Sequence, residues 1–118
     1  MMKDLQRELR RGTLELLLLR LLAEKPTYGY ELVSQLARRS AGRFEIKEGT
    51  LYPVLYRLED AGLIVHEWDP PARGVPRKVY RLTQAGVERV EELTAAWRSF
   101  AADVEAILSG EDPAEEES

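Results

Sequence analysis

The sequence predicts a mainly α-helical fold with one small β-hairpin, and three observations carry that expectation. Leucines crowd the first quarter of the chain at helical spacing. The run Glu48 to Ile64 combines an apolar stripe with a polar, aromatic face and a glycine stop. Past Gly62 the apolar period drops from about 3.6 to two on either side of a Pro/Gly-rich loop. Helix, helix, turn, helix, hairpin is the order of a winged helix-turn-helix, and a long apolar-striped helix follows it.

The elements justify themselves in order. Lys3 to Glu24 is expected as a first helix, because Leu5 and Leu9 begin a stripe that Leu14, Leu16 to Leu19, Leu21 and Leu22 widen until it is apolar nearly all round. One side of such a helix can meet its own core, and a second subunit is the economical cover for the other. Lys25-Pro26-Thr27 ends it, with Thr27 as expected N-cap of a second helix from Tyr28 to about Ser40. That helix turns Leu32, Val33 and Leu36 inward and closes at Gly42. Phe44-Glu45-Ile46 alternates briefly before the third helix.

In that third helix Leu51, Leu55 and Leu58 share a buried face. Thr50, Tyr52, Tyr56 and Arg57 are left on faces able to reach phosphates or base edges. Pro53 costs a hydrogen bond unless it lies near the first turn, so the helix should begin near Glu48. Gly49 would let a backbone approach closely, and Gly62 supplies a left-handed stop with Leu63 folding back. Glu48 and Glu59 would repel phosphates if they pointed outward, so a helix-terminus role or an ion pair with an arginine is expected of each. Tyr52, beside Pro53, reads as a packing residue as readily as a DNA contact.

Ile64 to Trp68 and Arg77 to Leu82 read as the two strands of the hairpin. Arg73, Arg77 and Lys78 are then placed as wing residues for phosphates or a neighbouring minor groove. Thr83 caps a last helix from Gln84 to about Ser109, stopped by Gly110. Its apolar positions Val90, Leu93, Trp97, Phe100, Val104 and Ile107 fall at steps of three and four, a seam that asks for a partner helix. Leu5 and Leu9 of the first helix join Leu93, Trp97, Phe100, Val104 and Ile107 as the expected dimer interface. The division expected is residues 1–83 as the DNA-binding domain, 84–110 as a dimerisation helix and 111–118 as a disordered acidic tail.

Composition narrows the function. The net charge of −4 hides an asymmetry: residues 1–82 carry 15 Lys+Arg against 11 Asp+Glu, a net of +4, and residues 83–118 carry 2 against 10, a net of −8. A basic face on the first two thirds is compatible with nucleic acid, while bulk attraction is not the driving force. There is no cysteine, which removes disulfides, thiolate metal sites and a cysteine nucleophile. The single histidine, His66, lies on a predicted strand without a partner motif, so neither catalysis nor a metal site is expected, and no cofactor. A charged start and the lack of an apolar span of roughly 20 residues leave a cytoplasmic protein as the expectation. The rival reading is a dimeric winged-helix adaptor that grips a protein without specific DNA binding, its acidic last third recruiting the partner.

Tyr28-Gly29-Tyr30-Glu31-Leu32, the long run from Glu48 through Val54-Leu55 and Arg57-Leu58-Glu59 to Gly62-Leu63-Ile64, and Tyr80-Arg81-Leu82-Thr83 before Gly86 together resemble the PadR family of transcriptional regulators. The resemblance spans nearly the whole chain, and the single helix after the wing resembles the small subfamily. It implies a homodimeric repressor of a pseudo-palindromic operator, released by a small aromatic or drug-like effector. Carried onto this chain, Lys47, Thr50, Tyr52, Tyr56 and Arg57 would enter the major groove, with Tyr28 and Tyr30 near the backbone and the wing at Arg73 to Lys78. In small drug-sensing members a tryptophan of the last helix stacks planar ligands across the dimer. Trp97 falls in that region, with Phe100 and Leu9 as its expected neighbours. A packed interface tryptophan without ligand is the alternative role for Trp97.

Overall fold

The computed structural model describes residues 13–70 and 74–116. Helix α1 (Leu14–Glu24) runs through the middle of the core, with Leu18 and Leu19 fully buried and Leu14, Leu21 and Leu22 nearly so. It packs against the last helix, the central strand of the sheet and the second helix. The chain itself therefore covers most of the apolar surface that suggests a second subunit; Leu16 and Leu17 stay half-buried. The part of this helix expected before Leu14, with Leu5 and Leu9, lies outside the described residues.

Thr27 does not cap the second helix. Thr27–Tyr28 form a two-residue strand, β1, and the Thr27 hydroxyl donates back to the Lys25 carbonyl at 2.9 Å. Helix α2 (Gly29–Arg39) starts at the next residue. It ends in a turn where the Ala41 N–H reaches the Arg38 carbonyl (3.2 Å) and the Gly42 N–H the Ala37 carbonyl (2.7 Å). That bond pair is a Schellman stop, and its left-handed position is Ala41 (φ 55°) as well as Gly42 (φ 80°). Phe44 and Ile46 pack onto the core from irregular chain, so the alternation there reports burial and not a strand.

Helix α3 (Glu48–Asp60) begins near Glu48 as expected, with Lys47 at the N-cap. Pro53 is still the sixth helical residue, so the Gly49 carbonyl loses its helical donor; both residues are exposed and water can replace it. Leu51, Val54, Leu55 and Leu58 are buried. The helix stops as expected, with Gly62 at φ 77° and Leu63 N–H bonded to the Leu58 carbonyl at 3.0 Å, both leucines lying in the core.

Strands β2 (Ile64–Asp69) and β3 (Arg77–Leu82) form the expected hairpin, in register from Ile64 opposite Leu82 to Asp69 opposite Arg77. β1 adds to the other edge of β3, giving an antiparallel sheet of order β1-β3-β2. Helix α4 (Gln84–Leu108) is capped by Thr83, whose hydroxyl accepts from the Gly86 N–H (3.1 Å) and donates to the Gly62 carbonyl (2.7 Å). The Thr83 N–H meanwhile bonds the Leu63 carbonyl at 3.0 Å. Helix stop and helix start are thus stapled together. A side chain on buried Gly86 would put its Cβ 2.1 Å from the Leu63 oxygen, so only glycine allows this approach. Beyond Gly110 the expected disordered tail holds a four-residue helix, α5 (Pro113–Glu116), with proline at its first position and the Asp112 carboxylate accepting from the Ala114 N–H at 3.0 Å.

Candidate nucleic-acid interface

Helix α3 turns its leucines inward, and the periodicity of the helix leaves Lys47, Thr50, Tyr56 and Arg57 on the outside. Tyr56 is 73% exposed. Neither Lys47 nor Arg57 forms an ion pair with a described residue. Glu48 takes the helix-terminus role in the first turn, where a carboxylate complements the dipole. Tyr52 behaves differently from its neighbours. Its ring lies against buried Gly29 so closely that a Cβ there would stand 2.9 Å from the tyrosine hydroxyl, and it is a packing residue between α2 and α3 as well as a partly exposed one.

The second cluster joins β1, α2 and the wing. The Tyr28 and Tyr30 rings stack in parallel with centroids 5.6 Å apart. The Arg77 guanidinium lies 4.3 Å from the Tyr28 ring centre and donates to the Tyr30 hydroxyl at 3.2 Å. A cation held over two aromatic faces loses rotamer freedom before it meets a ligand. The Tyr28 hydroxyl donates to Asp69 on β2, and that hydrogen bond, helped by burial, pushes the phenol pKa up. Between this cluster and α3 lies a cleft of about 230 Å³, floored by Tyr52 and Tyr80 and edged by Pro76, Arg77 and Lys78. Burial, and next the nearby Glu59 charge, push the Tyr80 phenol up as well.

A third set of residues was not read from the sequence as functional. Strand alternation and register put Ile64, His66 and Trp68 of β2 on the same sheet face as Leu82, Tyr80 and Lys78 of β3. His66 Nδ1 lies 2.7 Å from Glu59 Oε1 on α3, so this face is turned toward the third helix. Glu59 finds this histidine and not the expected arginine. Trp68, further along the same face and 60% exposed, has the Lys78 ammonium 5.5 Å from its ring centre. An exposed tryptophan beside a wing lysine was a legible signal; the strand assignment alone would have paired them. Arg73 lies outside the described residues.

The helix that follows the wing contrasts with all of this. Gly86 and Val90 are its buried residues, and its seam is bare: Trp97 is 46% exposed, and Phe100, Val104, Ile107 and Leu108 are exposed too. Trp97 and Phe100 edge a groove of about 380 Å³ that α4 shares with Thr13, Glu15 and Leu16 of the α1 end. Leu93 is half-buried against the core. Leu9, the other residue expected at this groove, lies outside the described residues. Among the described residues there is no group of three or more His, Cys, Asp or Glu able to hold a metal ion, and no helix long and apolar enough to cross a membrane.

Residues 18–92 match the model of the Transcriptional regulator PadR-like family. The chain belongs to that family. A PadR-like chain of this kind is a DNA-binding transcriptional regulator and not an enzyme. It is 36% identical to a transcriptional regulator of Mycobacterium tuberculosis over 98 residues, which are 83% of this chain and 88% of that relative. Among solved structures, a PadR family transcriptional regulator from Eggerthella lenta is 41% identical with a TM-score of 0.81, covering 89% of each chain. A PadR-like transcriptional regulator from Bacillus cereus is 32% identical with a TM-score of 0.77, covering 88% of this chain and 99% of that one.

Proposed function

We propose that this PadR-like regulator is a homodimeric repressor whose third helix reads an operator half-site. The observation that carries this reading is the sidedness of α3: every leucine of the helix is buried while Thr50, Tyr56 and Arg57, with Lys47 at its start, share the open side. Arg57 and Lys47 would supply major-groove and phosphate contacts, and Tyr28, Tyr30 and Tyr52 would line the backbone approach. Arg77 and Lys78, with Trp68 beside them and Arg73 nearer the tip, would form the wing contact. Gly49, whose Cβ would meet nothing in the chain, leaves room for a phosphate backbone.

The bare seam of α4 supports the dimer. The apolar side chains of Trp97, Phe100, Val104 and Ile107, which continue the row from Leu93, are exposed among the described residues, and a second copy of the same helix, or Leu5 and Leu9 of the partner's first helix, would bury them. Two α3 helices must lie about one DNA turn apart to bind half-sites together. A planar, small aromatic ligand in the Trp97 groove would alter that spacing and release the operator.

The test is a gel shift of the purified protein on its own upstream intergenic DNA, across a salt series with unrelated DNA as competitor. Competitor-resistant binding that weakens steeply with salt is expected. Arg57→Ala should lower operator affinity by about tenfold or more. Binding without preference over unrelated DNA would favour the adaptor reading. Trp97→Ala should abolish release by a planar cation such as a DNA-free dye while leaving operator affinity intact; an unchanged response would remove Trp97 from the mechanism.

A further inference from the structure

The chain's single histidine stands between the third helix and the wing. His66 Nδ1 lies 2.7 Å from Glu59 Oε1, near the end of α3. An ionised carboxylate only accepts, so the imidazole Nδ1–H is the donor. Both side chains are part-buried, with 25% of His66 and 33% of Glu59 exposed, so the pair is screened less than one on the open surface. Glu59 follows Tyr56 by three residues, which makes the two neighbours on one face of the helix. A carboxylate left loose beside Tyr56 would repel phosphate, and His66 holds it against the sheet instead.

The contact continues outward along the hairpin. The His66 ring meets the Trp68 indole edge to face, with centroids 6.0 Å apart and planes at 88°, and Tyr80 of β3 flanks it at 6.0 Å. Trp68 stands opposite Lys78 in the register, and the Lys78 ammonium lies 5.5 Å from the indole centre. A lysine ammonium on its flexible stem samples many positions, whereas an aromatic face draws it to one. Carboxylate, imidazole, indole and ammonium thus form one line of contacts from α3 to a cation of the wing. Lys78 forms no ion pair with a described residue, so its charge is left for a ligand.

We propose, on the reading of α3 as the helix that enters the operator, that Glu59, His66 and Trp68 are positioning residues that fix where Lys78 meets DNA relative to the contacts of α3. The three act through Lys78 and need touch no base themselves. With the ammonium held at a set distance from Tyr56 and Arg57, the wing contact forms at little further ordering cost once α3 has docked. A freely swinging lysine would still attract phosphate, but it would add less to the affinity and nothing to the register.

The experiment measures binding of the full-length protein to its own upstream intergenic DNA by fluorescence anisotropy across a salt series, with Lys78→Ala made in the parent, in His66→Leu and in Trp68→Ala. In the parent, Lys78→Ala should weaken binding about fivefold and lower the salt slope by about one. In either variant the same substitution should cost no more than about twofold, because the ammonium is no longer held. Arg57→Ala should cost the same in all three, which a general loosening of the fold would not allow. Trp68 is exposed, so Trp68→Ala keeps the test open should His66→Leu fold poorly. In ¹⁵N relaxation of the free protein, the Trp68 indole N–H should have an order parameter of about 0.8 in the parent and below about 0.6 in His66→Leu and Glu59→Ala. A parent that shows no preference for its own upstream DNA overturns the operator reading and the positioning role with it. A parent that binds that DNA selectively overturns the positioning role alone if Lys78→Ala costs the same in every background, or if the Trp68 indole is already mobile.

Discussion

The two halves of this molecule carry similar apolar stripes and treat them in opposite ways. From Leu14 to Leu82 the stripes converge: leucines of α1, α2 and α3 meet Ile64 and Tyr80 of the sheet, and seven side chains in this region are fully buried. From Trp97 onward the stripe of α4 is exposed among the described residues, with Trp97 and Phe100 edging only the groove beside the α1 end. A 25-residue helix is about 37 Å long, and its residues packed on the core, Gly86, Val90 and Leu93, lie in its first three turns. The radius of gyration of 17.9 Å exceeds the roughly 13.5 Å of a compact chain of this length. Apolar periodicity therefore announces that a face will be covered but not by what. In α1 the cover is the chain itself; the far half of α4 finds none among the described residues.

Matched truncations sharpen that contrast most. Leu18→Ala, in the converged half, should lower unfolding free energy by about 4 kcal/mol in urea titrations. Ile107→Ala, 80% exposed, should change intrinsic stability by no more than about 0.5 kcal/mol, yet weaken self-association measured by sedimentation. Equal losses in both variants at low protein concentration would erase the distinction between the halves.

Next in size is Gly86→Ala, at the point where the two halves join. The added methyl would meet a backbone carbonyl that Thr83 and the Gly62 stop hold from both sides, so a loss of about 3 kcal/mol is expected from thermal or urea unfolding. A near-neutral result would mean that α4 is free to shift on the domain, and that the start of α4 is no more firmly held than its far end.

Smaller effects separate the wing from the core. Tyr28→Phe removes the bond to Asp69 and leaves the Arg77 stack without its anchor to β2. DNA binding should weaken while the unfolding midpoint stays close to that of the parent. Ala41→Gly should stabilise the protein by about 1 kcal/mol, because an L side chain at φ 55° is strained where glycine is not. It is the change that reports only on the end of α2.

Much of the fold was legible because local chemistry decided it. The start of α3 fell at Glu48 as read, Gly62 and Leu63 supplied its stop, and the change of period marked the hairpin to within a residue of its ends. Strand β1 was not legible: two residues, Thr27 and Tyr28, have no period, and their only reason to be extended is the open edge of β3 some fifty residues away. Tyr28–Asp69 spans 41 residues, and His66–Glu59 joins a strand to the helix before it across a turn, so neither follows from local period; Asp69, Trp68 and His66 were not named by a reading that expected Tyr56, Arg57 and Arg77 at the interface. Phe44 and Ile46 alternate without forming a strand, since two side chains of irregular chain reach the same core.

The sequence by itself determined the four longer helices and where they stop, which face of α3 is apolar and that α4 carries a seam, though not α5. These depend on spacing, propensity and caps, all of which act within a few residues. Only the tertiary structure decided that α1 spends most of its leucines inside one protomer, that Tyr28 and Tyr30 grip Arg77, and that Trp68 meets Lys78 on the face turned to α3. Those outcomes depend on which surfaces meet across the chain, and packing, not periodicity, selects them.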